Sequence, residues 1–269
     1  MNMQVRPPMD PRMRRRRIEV TRQEGRRRLH FLVASGSITV LVVAGWASTR
    51  SPLLDVDRIE VVGATATPQA AVVAASGVRL GLPLVDLDET TSLRGVVDLP
   101  WVRSASIRRQ WPSTVTITVV EREAVAAAPS ADSRWALVDS NGQVVAWTDS
   151  AGDLPPLAGI PPAGPPGSTL GGSSAAALLR VAATVPDGLR ARLKAVVAGD
   201  GGNVELELQE GARVRLGEPE QLAEKFRSAL SVLAQVDTRG VSTLDVRIPQ
   251  SPVLTRLDPV DTVSTLGAG

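Results

Sequence analysis

The chain has 269 residues, with 30 Lys and Arg against 28 Asp and Glu, a formal net charge of +2. It has no Cys and one His, His30, which removes disulfide frameworks, thiolate metal sites, cysteine nucleophiles and any Ser-His-Asp relay away from that position. Apolar residues make up 43% and charged residues 22%, a globular balance, but aromatics are only 3%, so the cores must be built from Val, Leu and Ala.

The small net charge hides an asymmetry. Residues 1–28 hold ten Arg and three acids, a local +7, and the rest of the chain is mildly acidic. These arginines lack interleaved aromatics, and Pro7, Pro8 and Pro11 interrupt them. The head therefore reads as a disordered basic cytoplasmic tail that sets topology and attracts anionic lipid, with no nucleic-acid site expected.

From Leu29 to Thr49 there is no Asp, Glu, Lys or Arg. A helix of that length matches a bilayer core of about 30 Å, so one transmembrane helix is predicted over 29–49. Arg14 to Arg17 and Arg26 to Arg28 precede it and Arg50 alone follows closely, which places the N-terminus in the cytoplasm and the remaining domains outside. Trp46 suits the outer interface. The rival reading is a cleaved signal peptide, for which Gly45 and Ala47 supply small residues, although the uncharged run exceeds the usual apolar region of about 7 to 15 residues.

Beyond Ser51-Pro52, Ile59 and Val61 alternate with charged residues in a strand over 56–63. Thr67-Pro68 predicts the capped start of a helix over 68–76, which Gly77 ends. A second helix starts near Asp88 and runs to Leu99, where Pro100 stops it. Strands follow over Val102 to Arg109 and Ser113 to Arg122, joined by Trp111-Pro112-Ser113. In the latter, Val115, Ile117 and Val119 share one face and Thr114, Thr116 and Thr118 the other. Residues 54–123 thus form a small β-α-α-β-β module with helices on one face of its sheet.

Residues 126–256 form a larger β-rich domain. Trp135 to Ala146 is a hairpin around Asn141-Gly142. The Pro/Gly-rich stretch Leu154 to Gly172 is irregular. Ser173 or Ser174 caps a helix carrying Leu178, Val181 and Val185. Strands around Leu193 to Val197, Val204 to Leu208 and Val214 to Leu216 follow. Pro219 opens a helix with Leu222, Phe226, Leu230 and Leu233 on one face, leaving Lys225 on the polar side. Val241 to Ile248 is the last clear strand, with Leu244, Val246 and Ile248 inward. Residues from Ser251 onward are extended, and 257–269 fade into a flexible tail. The fold class is α+β: a transmembrane helix, the small module and the β-rich domain.

No GxxxxGK[ST], HExxH or GxSxG pattern occurs. Pro165 and Pro166 interrupt the glycines of Gly164 to Gly172, a poor phosphate cradle. Lys194 and Lys225 read as solvated charges rather than general bases. Acids such as Asp139, Asp149 and Glu205 are plentiful, but no spacing singles out a glycosidase pair. No enzyme, cofactor or metal is expected.

The order of these parts resembles the FtsQ/DivIB family of bacterial cell-division proteins, with a module that is similar to a POTRA domain. The stretches carrying the likeness are Val56 to Gly63, Arg109-Gln110-Trp111-Pro112-Ser113 through Glu121-Arg122, Trp135 to Gly142, Leu154 to Gly159, and Gly217, Leu222, Lys225, Leu230 and Leu244-Asp245-Val246-Arg247. Ala124 departs from the pattern, which has a proline about there. The resemblance implies a non-enzymatic single-pass scaffold of the divisome in the plasma membrane at the septum, linking early and late septal proteins. It further implies that the final strand and preceding helix bind small coiled-coil division proteins (FtsB or DivIC, with FtsL) by strand addition, and that the small module docks other septal membrane proteins. Carried onto this chain, the partner-binding residues are Lys225, Arg247, Ile248, Val253, Leu254 and Arg256. The alternative is a secreted or anchored cell-wall-binding domain not specific to division.

Overall fold

The structure, a computed structural model, describes residues 30–46, 54–236 and 240–256. The predicted basic tail 1–28 and flexible tail 257–269 lie outside the described residues. Helix α1 covers 30–46, and all of it is exposed. It falls within the predicted span 29–49, whose remaining positions are not described. Among the described residues no helix is long and apolar enough to cross a membrane.

The first three-stranded sheet contains β1 (Arg58–Val62), β2 (Val102–Gln110) and β3 (Thr114–Glu121), in the order β1-β3-β2. Helices α2 (Gln69–Ser76) and α3 (Glu89–Val97) fall between β1 and β2 in the chain, giving the expected strand-helix-helix-strand-strand order. The alternation in β3 has the predicted sense: Val115, Ile117 and Val119 are buried. Asp88 caps α3 by accepting from the N–H groups of Thr90 and Thr91 at 3.0 and 3.3 Å. Thr67 does not cap α2: Pro68 holds the cap position and makes no side-chain capping bond, while Thr67 is buried behind it.

Two glycines are required by close approach. A Cβ on Gly95 of α3 would lie 2.1 Å from the carbonyl oxygen of Ala75 in α2, and one on Gly63 would lie 2.2 Å from that of Val119. The helix pair and the β1 exit can therefore close only on backbone.

By packing, one compact unit takes in described residues up to Ile59 with Arg79–Leu87 and Arg109–Val115; another takes in Glu60–Val78, Asp88–Arg108 and the chain from Thr116. Within the second unit lies a three-stranded antiparallel sheet of β4 (Ala124–Pro129), β5 (Trp135–Asp139) and β6 (Val144–Thr148), in that order. The same unit holds a six-stranded mixed sheet ordered β12-β11-β10-β9-β8-β7, where β7 is Leu157–Ala158, β8 Leu193–Ala198, β9 Val204–Leu208, β10 Arg213–Gly217, β11 Val241–Asp245 and β12 Val253–Arg256.

The predicted Asn141-Gly142 hairpin is present. β4 was not expected, because three consecutive alanines carry no alternation. Ala126, Ala127 and Ala128 are nonetheless fully buried, paired along β5. Helices α4 (Ala175–Thr184) and α6 (Leu222–Gln235) share one core with the large sheet through Leu178, Val181, Phe226 and Leu233. A one-turn helix, α5 (Asp187–Arg190), buries Leu189 in it as well. Ser174 occupies the N-cap of α4 but makes no side-chain capping bond. Helix α6 begins at Leu222, later than the Pro219 start expected, after Gln221 at φ 50°.

Candidate interaction edge

Val138 and Val144 turn inward on β5 and β6, and Asp139, which ends β5, is buried as well, 3% exposed. One oxygen accepts from the N–H groups of Asn141 and Gln143 at 2.9 and 2.8 Å, shaping the hairpin turn. The other accepts from Arg122 Nη1 at 2.8 Å. Arg122 directly follows β3, so this buried ion pair ties the end of the first module to the first hairpin of the second.

The six-stranded sheet ends at β12. This outer strand is short and, among the described residues, pairs on one side only, with Leu254 opposite Leu244 and Val253 opposite Asp245. The other edges of this domain are covered at least in part by the described residues. Isolated bridges connect Ala127 to Pro156, Ser130 to Ala163 and Gln143 to Thr169, and these cover the outer sides of β4, β7 and the start of β6. Among the described residues the outer flank of β12 has no strand paired to it, and such a flank presents backbone donors and acceptors of the kind that accept an added strand.

Five of the six sequence-derived residues sit at or beside this strand. Val253 is 60% exposed and Ile248 65%, while Leu254 packs partly against the core and Arg256 is exposed. The inward placement of Ile248 is corrected. β11 stops at Asp245, and residues 247–251 turn, which swings Ile248 out of the strand's alternation. Arg247 is clamped to Asp245 through Nε at 2.9 and 3.0 Å and Nη2 at 2.7 Å. Hydrogen bonding from Arg247 holds the Asp245 carboxyl below its ordinary range, and the same bond raises Arg247. Asp245 was not among the predicted residues; its spacing of two from Arg247 was the available signal.

Lys225 is the exception. Instead of lying on a solvated face it is 5% exposed, and its Nζ donates to the carbonyls of Leu216 and Glu218, both at 2.8 Å. Burial pushes its pKa down, against the opposing pull of Glu220 and Glu218. Its reach is the turn between β10 and α6, which it ties to the helix. The β12 edge and this lysine are therefore not brought into one polar cluster. Among the described residues no group of His, Cys, Asp and Glu is arranged to hold a metal ion.

The described residues thus form a small β-α-α-β-β module followed by a β-rich domain whose large sheet ends on β12. Residues 54–122 match a family model described as POTRA domain, FtsQ-type, and residues 127–247 match one described as cell division protein FtsQ/DivIB, C-terminal. The chain is 31% identical over 210 residues to the cell division protein FtsQ of Caulobacter vibrioides, covering 75% of this chain and 64% of that protein. It is 31% identical over 224 residues to the FtsQ of Streptomyces venezuelae, covering 79% of each, and 27% identical over 246 residues to that of Streptomyces collinus, covering 86% and 90%. The chain thus spans just under two thirds of the length of the Caulobacter relative and most of the Streptomyces ones. It belongs to the FtsQ/DivIB family of cell division proteins.

Proposed function

We propose that this protein is a non-enzymatic, single-pass scaffold of the bacterial divisome, anchored in the plasma membrane at the septum with its two modules on the outer side. The anchor reading rests on the uncharged stretch 29–49 and on the arginines that precede it. The partner reading rests on one observation, the flank of β12 at the end of the six-stranded sheet, against which no strand of the described residues lies.

The mechanism is strand addition. A segment from a small coiled-coil division protein of the FtsB or DivIC type, acting with FtsL, pairs its backbone with β12, while Val253 and Ile248 supply exposed apolar contacts and Arg247 and Arg256 select acids on the partner. Lys225 contributes from beneath by holding the turn that leads into α6, not by touching the partner. Other septal membrane proteins dock on the POTRA module.

The test is co-purification of the full chain with its coiled-coil partner. Deleting residues 247–269, or changing only the exposed Val253 to Asp, abolishes recovery while circular dichroism of the outer modules is retained. Unchanged recovery with either variant overturns the strand-addition reading.

A further inference from the structure

The N-terminal end of β1 is held between two loops. Val56 donates its N–H to the Leu82 carbonyl and accepts from the Gly81 N–H, both at 2.9 Å. On the other side, the N–H groups of Asp57 and Arg58 reach the Ser113 carbonyl at 2.8 and 3.2 Å. Loops 79–82 and 111–113 therefore flank one short segment, two strand spacings or about 10 Å apart.

Each loop raises a large apolar side chain away from the module. Leu80 is 67% exposed and Trp111 57%. Arg79, Gln110 and Pro112 are exposed beside them, and Arg79 has no ion pair among the described residues. A tryptophan, a leucine and an exposed arginine on adjoining loop tips form the combination that favours a lipid headgroup region, where an amphipathic ring and a cation are both accommodated.

The chain also limits where this tip can be. Ten peptide steps separate the end of α1 at residue 46 from Val56, at most about 35 Å when fully extended. If α1 belongs to a membrane anchor, the loop tips are tethered within a short reach of the bilayer surface, on the segment of the module that the tether enters.

We propose that Leu80 and Trp111 insert into the outer surface of the bilayer, so that the module is held against the membrane by its loop tips as well as by the anchor. This rests on the anchor reading of residues 29–49. Asp57, exposed close to the Ser113 contact, stays at the aqueous boundary and sets the depth of insertion. Such a contact restricts the motion of these loops relative to the bilayer surface.

The absence of native cysteine makes the test direct. Single nitroxide labels are placed at Leu80→Cys and Trp111→Cys in the full chain, reconstituted in phosphatidylcholine and phosphatidylglycerol vesicles. Reference labels are placed at Val42→Cys in α1 and at the exposed Asp149→Cys. Collision with oxygen and with a water-soluble nickel complex then reports depth. The expected result is that labels 80 and 111 favour oxygen and lie about 5–10 Å into the headgroup and acyl boundary, while label 149 favours nickel. If label 42 is in lipid but labels 80 and 111 match label 149, this inference fails alone. If label 42 also favours nickel, the anchor reading fails and this inference falls with it. Dipolar broadening at label 80 that disappears on dilution with unlabelled chain would assign the tip to a second copy instead, and overturn lipid insertion.

Discussion

Glu121 offers the most quantitative test of how the POTRA module is held together. It ends β3, and its carboxylate accepts from four donors in the turn that leads into α2: the N–H groups of Thr65, Ala66 and Thr67 at 3.1, 2.9 and 2.7 Å, and the Thr65 hydroxyl. Partial burial works against the charge, yet donation from Ala66, Thr65 and Thr67 outweighs it and lowers the pKa from 4.5 to about 2. Each tenfold change in proton affinity is worth about 1.36 kcal/mol, so the gap corresponds to at most about 3.4 kcal/mol. Solvent screening of a half-buried side chain brings the expected contribution to about 2 kcal/mol. Because the folded pKa is depressed, this stability is fully present above about pH 4.5 and is lost as pH falls toward about 2. Glu121→Gln presents an amide donor to backbone donors and should lose about 2 kcal/mol at pH 7. Urea denaturation of the full chain in detergent, followed by far-UV circular dichroism, measures the difference at each pH. Hydrogen exchange of the α2 amides localises it. The two proteins should converge near pH 2. A variant as stable as the parent at pH 7, or a deficit that persists unchanged at pH 2, would refute the reasoning.

Two further predictions concern buried charge. Lys225→Met leaves the Leu216 and Glu218 carbonyls without their donor. It should cost about 2–4 kcal/mol in urea titrations and accelerate exchange at the start of α6. For Arg122 and Asp139, a double-mutant cycle with Ala at each position should give a coupling of about 1–3 kcal/mol in the same denaturation assay, since the carboxylate is buried and the contact is 2.8 Å. A coupling near zero would show that the backbone donors of Asn141 and Gln143 alone hold Asp139.

What the sequence revealed and what it concealed divide along a physical line. Periodicity reports which face of a regular element is buried. The faces of β3, α4 and α6 were legible for that reason, as was the Asn141-Gly142 turn, whose Gly142 has φ 86°. The alanine run of β4 has no periodicity to read. Its position is decided by pairing with β5 and by the bridge to Pro156, contacts that are remote in sequence. Ile248 fits the alternation of β11 on paper, but the chain leaves the strand at Asp245, so the alternation ends before it reaches that residue.

Lys225 marks the harder case, and it bears on how the interaction edge works. A helical pattern assigns a lone lysine to water, because only a nearby pair of carbonyl oxygens makes burial of its charge tolerable. Those oxygens belong to a turn whose path no local signal specifies. The turn connects β10 to α6, and α6 carries the chain across to β11, which runs parallel to β10 and supports β12. The lysine thus fixes the entry to the crossover on which the exposed edge depends. A substitution there should weaken partner binding although no contact with the partner is removed. Partner recovery at Lys225→Met should therefore return when the fold is stabilised at lower temperature, whereas recovery at Val253→Asp should not.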